Sequence, residues 1–276
     1  MIQSTGMKKL GFYHQRKIPR TPFHVVDPSP WPVLMSIGLW GLATIFICWV
    51  NKVDYGQLFW GVLIMAMTVY GWTRDIVNES TFQGFHTKKV QMGISLGFIL
   101  FLVSELMLFF SFFWAFFHSS MSPSVEIGCC WPPVGIECLD WSKAPLHNTA
   151  LLVASSCTVT SSHKYLKDGN FTHAVALLIM TVFLSGFFVK NQYDEYSWAS
   201  FSIADGVYGS AFFMLTGLHG MHVIGGTCGL LYSLVRLLLR QFSTRRHLGY
   251  VLAIWYWHFV DIVWLALFFI IYIWGS

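Results

Sequence analysis

From Trp31 to the C-terminus, low-charge apolar runs alternate with short polar stretches. The runs cover Trp31–Val50, 55–73, 90–117, 146–162, 171–189, 206–235 and 248–273. A membrane-spanning helix needs about 20 residues at about 1.5 Å rise each, so each run predicts one span. The third, sixth and seventh runs are long enough to predict tilt or projection beyond the hydrocarbon. The run 146–162 is short and rich in Ser and Thr, which predicts a helix facing other helices rather than lipid. None of the runs shows the strict alternation of an outer-membrane barrel strand. The pattern predicts an all-α membrane protein with seven transmembrane helices.

Composition agrees with the pattern. Of 276 residues, 55% are hydrophobic and 11% charged, against about 25% charged in a soluble domain. Aromatics reach 18%, with 25 Phe and 13 Trp, and mean hydropathy is +0.57. A soluble core of this length has no room for so much apolar surface, whereas lipid does. The net charge of +4 matters less than its placement. Lys8, Lys9, Arg16, Lys17 and Arg20 precede the first run; Arg74, Lys88 and Lys89 follow the second. Lys164 and Lys167 follow the fourth, and Arg236, Arg240, Arg245 and Arg246 the sixth. With seven spans, all but Lys52, Lys143 and Lys190 of the 17 basic residues fall on one side, which predicts that this side faces the cytoplasm or an organelle's matrix. No basic face interleaved with aromatics supports nucleic-acid binding. The segment 1–30 lacks the apolar core of a secretory signal and reads as a short basic tail, with a targeting extension as the alternative. Asp27-Pro28-Ser29-Pro30-Trp31-Pro32 predicts an extended approach to the first helix, with Pro tolerated in its first turn.

Candidate chemistry lies within the spans. Glu105 is the only ionisable residue in 90–117. A carboxylate near mid-membrane costs at least a few kcal/mol, so such a residue is expected to be buried in protein, protonated or functional. Helix rise places Glu105 about 22 Å from the positive side, His222 and Asp261 about 20 Å, His219 about 24 Å and His258 about 15 Å. Glu105, His222 and Asp261 thus share one level, which predicts a buried polar cluster; the alternative is a separate core hydrogen bond for each. His219 with His222, and His258 with Asp261, have the i, i+3 spacing that can hold a metal or haem. Their Phe- and Trp-rich neighbours predict tight packing instead, and no metal is expected. Gly93, Gly97, Gly225 and Gly229, at i, i+4 spacing, are expected to pack helices closely. Of the six cysteines, Cys48, Cys157 and Cys228 lie in spans as small hydrophobes. Cys129, Cys130 and Cys138 share a loop, where packed or exposed thiols are expected ahead of a disulfide. No phosphate-binding loop, nucleophile elbow or HExxH helix occurs, which argues against a nucleotide-driven pump.

Seven motifs in order carry a resemblance: VDPSPWP at 26–32, RDIVNESTFQGFHT at 74–87, SELMLFFSFFWAFFHSS at 104–120, WPPVGI at 131–136, DGVYGSAFF at 205–213, GLHGMHVIGG at 217–226 and WYWHFVDIVWL at 255–265. From about residue 22 onward the chain resembles subunit III of haem–copper cytochrome c oxidase. The resemblance implies a tail (1–30), a two-helix pair (31–80) and a five-helix bundle (81–276, with a loop at 119–145). A V-shaped cleft holding phospholipid would separate pair from bundle. It implies a non-redox subunit of the terminal oxidase that reduces O2 to water with proton pumping, supporting proton uptake, stability and assembly. Subunits I and II would be its partners and would carry the haem and copper; accessory subunits and larger respiratory assemblies are further expected partners. No catalytic residue, metal or redox centre is expected in this chain. The resemblance matches Glu105 to a buried glutamate, His219, His222, His258 and Asp261 to core positions, and Arg74, Glu79, His86 and Arg236 to lipid-binding positions. It implies the mitochondrial inner membrane with the N-terminus in the matrix, or alternatively a bacterial plasma membrane. Departures from the family's usual residues include Asn78, Phe85 and Lys190. Subunit III of a quinol oxidase and an independent membrane transporter are the alternatives; the transporter is disfavoured because the runs show no broken helix pairs or inverted halves.

Overall fold

The computed structural model describes residues 21–52 and 56–276, and side chains from 59 onward in the second stretch. The basic tail residues Lys8, Lys9, Arg16, Lys17 and Arg20, and the start of the second run at Tyr55, lie outside the described residues. Among the described residues there is no strand. The α-helices are α1 (Trp31–Val50), α2 (Gly56–Val77), α3 (Lys88–Met121), α4 (Ala144–Lys167), α5 (Phe171–Trp198), α6 (Gly206–Leu238) and α7 (Leu248–Leu267). A π-helical turn, Asn78–Phe82, extends α2, and another, Phe268–Trp274, extends α7. Most helices outrun their apolar runs. Hydropathy marks the part suited to hydrocarbon, whereas the backbone ladder continues wherever polar residues also favour helix.

Among the described residues, five helices, counting α7 with its extension, are long and apolar enough to cross a membrane; α2 and α4 fall below that measure. The composition of α4 serves a different purpose. Its buried residues are Pro145, Asn148, Leu152, Ser155, Val159, Ser162 and Leu166, alternating steps of three and four as in a coiled-coil seam. On α5 the series Ala174, Leu178, Thr181, Ser185, Phe188, Gln192 and Glu195 has the same rhythm. The Ser- and Thr-rich helix does face other helices.

The chain divides into two compact units, one ending at Ile94 and the other Ser95–Ser276. In the first, α1 pairs with α2. The Trp31 indole covers Gly71, where an added Cβ would lie 2.4 Å from the ring, and its Nε1 donates to Asp75 Oδ2 at 2.6 Å. Beyond the π turn, Gly84 takes a positive φ of 74° and the chain reverses towards α3. The segment from Thr21 lies on this corner. Thr87 Oγ1 donates to the Pro22 carbonyl at 2.5 Å, and the His24 ring stacks on Phe85 at 5.2 Å.

In the second unit α4 pairs with α5, α5 with α6, α6 with α7 and α7 with α4. Phe212, Phe188, Trp257, Trp264 and Tyr272 fill its core. Hydroxyls of α4 satisfy the polar edges of the large rings. Trp257 Nε1 donates to Ser155 Oγ (2.9 Å), Trp264 Nε1 to Thr149 Oγ1 (3.0 Å) and Tyr250 Oη to Ser162 Oγ (2.7 Å). The expected glycine packing is not what closes these helices. Gly93, Gly97 and Gly229 meet nothing within 4 Å, and Gly225 only Tyr256 Oη at 3.8 Å. The close approach occurs at Gly226, where a Cβ would meet Trp257 and Tyr256 at 3.0–3.2 Å. Gly226 lies on the buried seam of α6, one residue round from the 225–229 face, so that face opens a groove instead.

Candidate functional site

The polar residues of the spans separate into pairs. Glu105 on α3 meets His222 on α6, Oε2 to Nε2, at 2.9 Å, with side chains 21% and 12% exposed. The other imidazole nitrogen, Nδ1, lies 2.8 Å from the Leu218 carbonyl. A carbonyl only accepts, so Nδ1 carries a proton. The Glu105–His222 contact then needs one more proton, either on the carboxyl facing a neutral ring or on the ring facing a carboxylate. Either way the pair has no net charge, which lowers its cost in an apolar setting. Phe109 meets the imidazole edge-on with ring centres 4.9 Å apart, and Tyr256 stacks on it at 6.3 Å.

Asp261 and His258, on α7, turn to α4. Ser156 Oγ donates to Asp261 Oδ2 at 2.7 Å, and Thr160 Oγ1 lies 3.2 Å from His258 Nε2. His219 is fully buried between Phe188 and Trp264, with ring centres 5.8 and 5.1 Å away. Neither of its ring nitrogens has a partner among the described residues. The expected single cluster at one depth is therefore two separate sets and one isolated ring. Equal depth along helices does not place side chains on facing sides, and the helix rotations send Glu105 to α6 and Asp261 to α4.

Sequence reasoning missed the far end of the α5 seam. Tyr272 Oη donates to Glu195 Oε1 at 2.7 Å, and Asn191 Nδ2 to Asn148 Oδ1 at 3.1 Å. The signal was present: Gln192 and Glu195 continue the three-and-four spacing of the buried series that begins at Ala174.

The residues expected at lipid occupy two places, each within one unit. Arg236 closes α6. Its guanidinium lies 4.3 Å from the Phe242 ring centre, and its Nε donates to Gln241 Oε1 at 3.2 Å. Beside it runs a groove of about 380 Å³ lined by Phe98, Phe101, Gly225, Gly229, Tyr232 and Tyr256. In the other unit, Arg74 binds its neighbour Asp75 through Nε (3.2 Å) and Nη2 (3.0 Å). Glu79 Oε2 lies 3.9 Å from His24 Nε2, and the His86 ring lies 5.7 Å from that of His24. Burial pushes the Glu79 carboxyl above its ordinary pKa, against the pull of His24; Asp75 and Asp27 add to the rise. Burial, and then His24, hold the His86 imidazole below its own. His24 was not singled out from sequence, because its partners are more than fifty residues away. No disulfide joins any of the six cysteines among the described residues.

The order of these elements and motifs can be compared with known proteins. A family model described as Cytochrome c oxidase subunit III matches residues 21–276. The chain belongs to that family. "Cytochrome c oxidase subunit 3" of Heterololigo bleekeri is 48% identical over 257 residues, covering 93% of this chain and 99% of the relative. The proteins of that name from Aedes aegypti and Drosophila melanogaster are 49% and 48% identical over 255 residues, each covering 92% of this chain and 97% of the relative. Both the Glu105–His222 pair and the groove ending at Arg236 lie inside the matched region.

Proposed function

We propose that this chain serves as the non-redox core subunit of a mitochondrial terminal oxidase, cytochrome c oxidase. The observation that carries this reading is the family match along residues 21–276 with nearly the full length of its relatives covered. The shared name of those relatives favours cytochrome c oxidase over the quinol-oxidase and transporter alternatives. The interior chemistry supports a structural and positioning role. Glu105 and His222 pair with each other, and Asp261 and His258 bond to α4 hydroxyls.

Three finer statements belong to the proposal. The chain docks on the haem- and copper-bearing subunits I and II, supporting proton uptake and assembly. Its outward apolar side chains, such as Trp40, Phe46, Trp60 and Trp114, meet lipid and partner subunits. The Arg236 groove receives a phospholipid acyl chain, with the guanidinium on the phosphate at the positive-side interface, where such contacts are favoured; Arg74, Glu79 and His86 meet headgroups in the other unit. The N-terminus lies in the matrix.

Purification in mild detergent tests the main reading. The chain should elute with a haem–copper core whose visible spectrum shows its haems, and should carry no haem once separated. Recovery of the chain with no oxidase subunit would refute it.

A further inference from the structure

Two polar pairs lie at an outward-facing seam of the second unit, where α7 meets α4. Ser156 Oγ donates to Asp261 Oδ2, and Thr160 Oγ1 lies against His258 Nε2. Ser156, His258 and Asp261 are only half-buried and Thr160 is exposed. Asp261 Oδ1 has no hydrogen-bond partner among the described residues. Beyond this strip α4 turns outward. From 150 to 161 its exposed residues are Ala150, Val153, Ala154, Cys157, Thr160 and Ser161, which helix geometry gathers within an arc of roughly 120°. None is larger than valine. The outward side chains of α3 and α5 are of the opposite kind, with Phe110, Trp114, Phe183 and Phe187 among them. On the other flank of the strip, Trp255 and Ile262 of α7 stand exposed. We propose that the outward face of α4 at 150–161, with His258 and Asp261 of α7, docks one transmembrane helix of a neighbouring subunit.

Solvation is the first reason. His258 and Asp261 lie about 15 and 20 Å from the positive side by helix rise, deep enough to be in hydrocarbon. Ionisable groups at that depth face protein or water, because lipid offers them no hydrogen bond. Half of each side chain is left uncovered by this chain, so a second protein surface must finish the burial. The character of α4 is the second reason. It falls below the apolar measure that its neighbours α3, α5, α6 and α7 meet, which suits a helix enclosed by other helices. Shape is the third. Small side chains let two backbones approach closely, and helices in a bilayer associate through such packing and through hydrogen bonds between them. Trp255 and Ile262 wall one flank of the seat. Valence then specifies the partner. Asp261 Oδ1 can only accept from a donor, unless it carries the acid proton itself, in which case it needs an acceptor. A hydroxyl or side-chain amide at that level serves both states, whereas an acyl chain serves neither. The occupant is therefore an apolar helix with one Ser, Thr, Asn or Gln level with Asp261 and small or aliphatic residues along Ala154 and Cys157. The docking rests on the reading of the chain as a subunit of an assembled oxidase.

Labelling from within the lipid tests it on the wild-type complex. The intact oxidase in a bilayer is irradiated with a hydrophobic carbene precursor dissolved in the lipid, and insertion is read along the chain by peptide mass spectrometry. Residues 150–161 should lose essentially all of the label that they take up in the separated full chain. A second experiment identifies the occupant. With p-benzoylphenylalanine in place of Ala154, irradiation of the complex should give one protein adduct, whose partner peptide is an apolar span with Ser, Thr, Asn or Gln within two turns of the captured residue. If that bulky replacement blocks assembly, the wild-type labelling decides alone. Heavy labelling of 150–161 in the intact complex, adducts to lipid only, or a captured span without such a residue overturns the proposal. A chain recovered with no oxidase subunit is a separate result, which refutes the oxidase reading and is seen before any labelling.

Discussion

At the scale of single residues, the Leu218 carbonyl has the largest consequence. By holding the proton of His222 on Nδ1 it makes Nε2 the atom that must share a proton with Glu105. Glu105→Gln keeps a donor in place, because a side-chain amide can still give an N–H to neutral Nε2. The variant is expected to assemble normally and to alter turnover only modestly; abolished proton pumping in a normally assembled complex would contradict this. His222→Leu is expected to be worse, since it leaves the Glu105 carboxyl without its partner. The cost is about 1–3 kcal/mol or more for a stranded buried polar group, seen as a lower thermal midpoint of the purified complex. Arg236→Ala removes the guanidinium that the proposed lipid site places on the phosphate, so native mass spectrometry should find less bound phospholipid. Unchanged lipid content would remove the basis for the headgroup reading there.

At the scale of elements, α4 shows how a poorly apolar helix becomes part of a membrane core. Its hydroxyls occupy the seam and receive the indole and phenol protons of α7. Ser155→Ala leaves the fully buried Trp257 Nε1 without its acceptor, an expected loss of about 1–3 kcal/mol; Ser156→Ala, one residue round the helix, should leave Trp257 fluorescence unchanged where Ser155→Ala shifts it. Gly209 at the start of α6 carries a steric constraint. A Cβ there would lie 2.2 Å from the Ser202 carbonyl oxygen. Gly209→Ala is expected to cost about 1–3 kcal/mol through overpacking and to lower the yield of assembled complex. Helix positions were legible because apolar runs of this length have few other fates. The helix ends and π turns were not, because hydropathy is silent about backbone geometry beyond the hydrocarbon. The buried seams were half legible. The steps of three and four can be seen in α4 and α5, but only packing reveals that Gly226, and not Gly225, takes the close contact.

At the scale of the whole molecule, charge distribution predicts how the chain sits. Trypsin should cut the basic tail only when the matrix face is opened, and cleavage in intact mitoplasts would reverse the proposed orientation. The sequence by itself determined an all-helical membrane protein, its family, and the carriers of unusual polarity at Glu105, His219, His222, His258 and Asp261. The helices and their polar residues follow from composition and period along one chain, and the family from seven motifs in order. Tertiary structure decided which of these residues meet. It paired Glu105 with His222, gave Asp261 to Ser156, left His219 among aromatic rings, and drew His24 onto Glu79 and His86. The physical reason is that hydrophobicity fixes how deep a residue lies, whereas helix rotation and chain reversal fix its neighbours, and those depend on contacts between segments distant in sequence.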